Sequence, residues 1–105
     1  TGDQIGPSGP LVFIAALGEP ARRRAFAWLQ SLREQGVPAE MEPEEKSLKS
    51  QFRRADKLQA RYVAILGSEE LERGRTVVRR LDDKTQEEVP LDVMVQFFVT
   101  RYREK

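Results

Sequence analysis

Two short apolar runs, Leu11–Leu17 and Tyr62–Leu66, constrain this chain more than any other feature. Each is continuous rather than alternating, rich in Val, Ile, Phe or Tyr, and ended by a glycine, Gly18 or Gly67. A run this short, apolar at successive positions, predicts a strand covered on both faces. Such strands need helices above and below them, and the intervening sequence supplies amphipathic stretches.

Pro20 suits the first turn of a helix, where its missing N–H leaves no bond unmade. Ala21, Ala25, Trp28, Leu29 and Leu32 then recur at helical spacing, and Gly36 stands where a left-handed cap belongs. Val37–Met41 reads as a weak second strand, ended by the turn at Pro43. Ser47 is a candidate N-cap for a helix whose apolar positions are Leu48, Phe52, Ala55 and Leu58. After Tyr62–Leu66, Ser68 can cap a short helical turn through Glu72, closed by Gly74. Thr76–Leu81 and Gln86–Val89 read as a hairpin around the polar turn Asp82–Thr85. Pro90 opens a last helix containing Val93, Met94, Phe97 and Phe98. The spacing assigns Trp28, Phe52 and Tyr62 to the core. The expected architecture is α/β, with a mostly parallel sheet made mixed by the late hairpin. In such sheets ligands gather beyond the strands' carboxyl ends, here near Leu17–Gly18, Met41–Lys46 and Leu66–Glu70.

With 105 residues, 39% of them hydrophobic and 33% charged, the chain is sized for one packed domain. Residues 1–10, with their Gly and Pro, read as a linker or tail and 11–105 as the domain. No apolar run approaches the roughly 18–20 residues of a membrane span, so no membrane partner is expected. There is no Cys and no His. That removes thiolate chemistry, cysteine-ligated zinc and the commonest general base; a cytoplasmic setting fits. The segment after the first strand, Gly18-Glu19-Pro20, lacks the further glycines and the Lys-Ser/Thr pair of a phosphate loop. The net charge of +1 gives no bulk attraction to nucleic acid.

Three local features remain. Glu40, Glu42, Glu44 and Glu45 form an acidic cluster, read as a solvated loop in preference to a metal site or a carboxylate pair. Lys46, Lys49, Arg53 and Lys57 step by three or four residues into one stripe, either an ordinary solvent face or a track for phosphates. The N–H groups at the start of that helix, Ser47 to Lys49, attract anions. In the third, Glu70 follows Gly67 by three residues, Gly74 precedes the next strand, and that strand carries Arg79. A carboxylate accepts from base amino groups and an arginine donates to a base edge, but on these residues alone a surface ion pair is the preferred reading of Glu70.

The stretch Ser47-Leu48-Lys49-Ser50-Gln51-Phe52-Arg53-Arg54-Ala55-Asp56-Lys57-Leu58, then Ala60–Gly67, Glu70-Leu71, Gly74 and Gln86–Leu91, resembles the C-terminal anticodon-binding domain of bacterial histidyl-tRNA synthetases, class IIa aminoacyl-tRNA synthetases. The likeness runs from about Leu11 to Phe98. The Gly–Glu–Gly–Arg pattern is shared with threonyl, prolyl and glycyl synthetases; the Ser-Leu-Lys…Gln…Ala-Asp-Lys-Leu stretch points to histidine.

The resemblance implies a five-stranded mixed sheet flanked by three helices. It implies a module without catalytic residues that selects the anticodon loop of histidine tRNA, while a separate catalytic domain, in a parent that is homodimeric, holds ATP and Mg and makes histidyl-tRNA. It implies anticodon contacts at Glu70, Arg79, Glu45, Lys46 and Gln51, with Lys49 and Arg53 positioning phosphates. No cofactor is expected in this domain. Two departures from the family are Gln59, where glycine is common, and Thr76, where an apolar residue is usual. A domain repurposed for other RNA, DNA or protein partners, as in a translation-control kinase or a polymerase accessory subunit, is the main alternative; a small nucleotide-binding α/β protein and a dimerisation module stand behind it.

Overall fold

The computed structural model describes residues 9–104. The elements in chain order are β1 (Val12–Ala16), α1 (Glu19–Glu34), β2 (Ala39–Met41), α2 (Leu48–Lys57), β3 (Tyr62–Leu66), α3 (Ser68–Arg73), β4 (Arg75–Arg80), β5 (Gln86–Pro90), a 3-10 turn (Leu91–Val93) and α4 (Met94–Arg103). They form one five-stranded sheet in the order β2-β1-β3-β4-β5. β1 pairs in parallel with β2 and β3; β4 runs antiparallel to β3 and to β5. The sheet is therefore mixed, as expected, and it carries four helices rather than three, because the short turn after Gly67 is a helix in its own right.

Most of the tail expected at residues 1–10 lies outside the described residues. Pro10 is already buried, and its carbonyl accepts from the Arg61 N–H at 3.3 Å.

The two faces of the sheet are covered unequally. Val12, Ile14, Ala16, Tyr62, Ala64, Leu66, Val78 and Val89 point to one face, under α1 and α4. There Ala21, Ala25, Trp28, Leu29 and Leu32 supply the buried stripe of α1, the set read from its spacing. Met94 and Phe98 do the same for α4, and Phe98 meets Tyr62 edge-on with ring centroids 5.5 Å apart. On the other face Phe13, Ala15 and Val63 meet Ala55 and Ala60, with Leu48 and Phe52 packed around them. Among the described residues, α2 packs there, chiefly over β1. Toward β4 and β5 the cover thins: Phe52 of α2 meets Arg79, and Arg75, Gln86 and Glu88 are exposed.

Local departures have physical reasons. Pro90 ends β5 instead of opening the last helix; the chain first makes a 3-10 turn that cannot share the α-helical register. Phe52 is only partly buried: it packs on the cluster around Phe13 and Val63, with the half-buried Arg79 beside its ring. Gln59 takes φ +62°, the left-handed conformation that glycine adopts without cost. Thr76 is fully buried, and its hydroxyl donates to the Ile65 carbonyl at 2.6 Å. That bond offsets the cost of a polar atom where an apolar side chain is usual.

Candidate nucleic-acid interface

Because β1, β2 and β3 are parallel, their carboxyl ends share one edge of the sheet. The loop from Glu42 to Ser47 crosses this edge and is fastened to it by side chains. Gln51 is 1% exposed. Its amide donates to the Ala16 carbonyl at 2.9 Å and to the Lys46 carbonyl at 3.0 Å. Glu45 accepts from the Gly18 N–H at 3.2 Å and lies 3.8 Å from Arg22. Arg22 in turn donates to the Pro43 carbonyl at 2.7 Å. Ser47 caps α2, its hydroxyl accepting from the Ser50 N–H at 3.2 Å.

The acidic cluster is not one site. Glu40 pairs with Arg33 at 3.2 Å, Glu42 with Arg54 at 3.5 Å, Glu44 with Lys46 at 3.7 Å and Glu45 with Arg22. Each carboxylate has its own cation, and among the described residues no group of three or more His, Cys, Asp or Glu is arranged to hold a metal ion.

At the neighbouring strand end, Glu70 accepts from the Gly67 N–H at 2.9 Å and so satisfies the backbone at the start of α3. The cap of this helix is Gly67, not Ser68. One carboxylate oxygen of Glu70 makes this bond, and the residue is half-buried.

Arg79 lies elsewhere. It pairs across the sheet with Val63, near the amino end of β3, and with Gln86 of β5. Val63 is three residues from the end of β3, so roughly 10 Å of strand separates Arg79 from the edge that carries Glu70. Its guanidinium carbon sits 5.7 Å from the centre of the Phe52 ring, within cation–π range.

The two residues therefore mark the two ends of one open surface. Arg75, Val77 and Arg79 share a face of β4, by the period of two, and Gln86 and Glu88 stand beside them on β5. Arg75 is exposed and its side chain has no hydrogen bond or ion pair among the described residues. Sequence reasoning missed Arg75, Gln86 and Glu88 as neighbours of Arg79; two-residue periodicity back from Arg79 finds Arg75, but the β5 partners need the hairpin register. Arg73, at the end of α3, bonds the Glu88 carboxylate, and that bond raises the Arg73 pKa above its ordinary value.

Lys49 and Arg53 are exposed on α2 with no ion pair among the described residues. A groove beside them is lined by Lys46, Arg53, Arg54 and Lys57 together with Glu42 and Glu44. The arrangement is a partly apolar sheet surface with arginines at intervals, and next to it a basic helix. Bases can lie flat on such a surface while phosphates meet the helix.

The fold is that of an anticodon-binding domain: residues 11–101 match the anticodon binding domain family, and the chain belongs to it. Among the relatives it resembles are histidine–tRNA ligases. That of Desulfatibacillum aliphaticivorans is 53% identical over 83 residues, 79% of this chain and 20% of the relative. That of Syntrophotalea carbinolica is 45% identical over 100 residues, 95% of this chain and 24% of the relative. The chain thus spans about a fifth to a quarter of the length of the curated relatives it matches. The crystal structure of apo histidyl-tRNA synthetase from S. aureus superposes with a TM-score of 0.82 at 30% identity, over 86% of this chain and 26% of that one. The RNA binding domain of threonyl-tRNA synthetase from Cryptosporidium parvum Iowa II, 18% identical, shares the fold with a TM-score of 0.74 over 87% of this chain and 23% of that one. Among the described residues no helix is long and apolar enough to cross a membrane.

Proposed function

We propose that this domain reads the anticodon loop of histidine tRNA for a histidine–tRNA ligase, with synthesis of histidyl-tRNA carried out by a catalytic domain elsewhere in a homodimeric cytoplasmic enzyme that supplies the ATP and Mg sites. The observation that carries the reading is the uncovered face of β4 and β5, bearing Arg75 and Arg79, in a chain that matches the anticodon-binding family over 11–101. Unstacked bases lie along this face. Arg79, held over Phe52, donates to one base edge. Glu70, beyond the carboxyl end of β3, accepts from the amino and imino groups of another, which suits a guanine of the expected GUG anticodon. Lys49 and Arg53 meet phosphates and set the register. Glu45, Lys46 and Gln51 shape the edge: Gln51, buried with its amide donating to two carbonyls, acts on RNA by holding the loop that carries Lys46, not by reaching a base from the surface.

The test is titration of the chain with an anticodon stem-loop carrying GUG and with a base-swapped loop. A preference for GUG that is lost in Arg79→Ala and Glu70→Ala supports the reading. Equal affinity for both loops in the wild type overturns it.

A further inference from the structure

The open face carries a carboxylate where a phosphate-binding surface would exclude one. Glu88 stands opposite Val77, midway between Arg75 and Arg79, on the same side of the sheet. It bonds Arg73, whose guanidinium charge is thereby paired rather than free. The two side chains are 45% and 46% exposed. An ion pair this exposed contributes little to folding, so the fold gives little reason for its presence. Its effect on a ligand is larger. Glu88 repels a phosphate from the middle of the face and occupies a cation that would otherwise bind one. The base edges of a nucleic acid carry no formal charge and are not repelled.

We propose that Glu88 is a specificity-determining residue: by holding Arg73 and facing the strip between Arg75 and Arg79, it bars phosphates from the sheet face and leaves that face to bases. The proposal rests on the anticodon reading for the identity of the RNA, but phosphate exclusion is measurable without it. A domain with net charge +1 gains from this arrangement. It binds single strands weakly unless bases fit, whereas a free Arg73 would anchor a strand in registers that place no base at Arg79.

The experiment compares the wild-type chain with Glu88→Gln and Glu88→Ala, and each of these with Arg73→Gln added. The probes are a short oligouridine, the GUG stem-loop and the base-swapped loop, at several salt concentrations. Thermal unfolding of every variant checks that the fold is kept. One freed arginine adds about one phosphate contact, which steepens the salt dependence on single strands by about 0.7 and tightens oligouridine binding about five-fold near 0.1 M salt. The expected result is that gain in both Glu88 variants, its loss when Arg73→Gln is added, and a larger gain for the base-swapped loop than for GUG. Unchanged oligouridine affinity and slope in the folded Glu88 variants would overturn the proposal, as would a gain that persists without Arg73. If the wild type shows no GUG preference while the oligouridine gain appears, the anticodon reading fails and phosphate exclusion stands.

Discussion

The amide nitrogen of Gln51 lies 2.9 Å from the Ala16 carbonyl oxygen, so a side chain of α2 closes the last carbonyl of β1. The same nitrogen donates to Lys46. One buried amide therefore positions both the strand end and the loop that crosses it. Gln51→Leu leaves two carbonyls without their donor and should destabilise the domain by about 1–3 kcal/mol. Lys49→Ala, one exposed position along the same helix, should stay within about 0.5 kcal/mol. Urea midpoints of the two variants check the contrast.

Arg79 and the basic helix should separate in their effects on RNA. Arg79→Ala should cost about 1–3 kcal/mol of binding to the GUG loop and erase its preference over the swapped loop. Lys49→Ala and Arg53→Ala should weaken both loops alike and each lessen the salt slope by up to about 0.7–0.9. If Arg79→Ala and Lys49→Ala gave the same pattern, the division between base reading and phosphate positioning would be wrong.

Gln59 is a site where stability can be gained. A non-glycine residue at φ +62° bears roughly 1–2 kcal/mol of backbone strain, against which glycine's extra freedom in the unfolded chain costs about 0.5–1 kcal/mol. Gln59→Gly should therefore raise stability by about 0.5–1 kcal/mol, read as a Tm increase of several degrees. A lower Tm would show that the Gln59 side chain contributes packing at the floor of the groove formed with Asp56, Arg61 and Arg80.

The hairpin turn carries a pH-dependent contribution. Asp83 accepts from the hydroxyl and N–H of Thr85, at 2.8 and 3.1 Å, and these bonds lower its pKa below the ordinary carboxylate value. A depressed folded-state pKa means the contribution is fully present above the unfolded value, about 3.9, and is lost as pH falls through the folded one. Asp83→Asn should be less stable than wild type at neutral pH, and the gap should close in acid. Urea midpoints across pH 2–7, with the gap constant throughout, would refute this.

The sequence by itself determined the strands and helices, because hydrophobic period is a local property. The runs at Leu11–Leu17 and Tyr62–Leu66, the stripe from Ala21 to Leu32 and the glycine stops needed no partner to be legible. The strand-end positions of Glu45 and Glu70 followed from the same alternation. What the tertiary structure alone decided depends on register and on which helix covers which strand. The pairing Val63–Arg79–Gln86 separates Arg79 from Glu70, which adjacency in a sequence motif had made one pair. The position of α2 over β1 leaves β4 and β5 open and puts Phe52 under Arg79. Gln51 reads as one polar residue among many on an exposed-looking helix, and only contact with Ala16, 35 positions away, makes it a buried tie. Distances of that kind are set by the packing of layers, which no local pattern encodes.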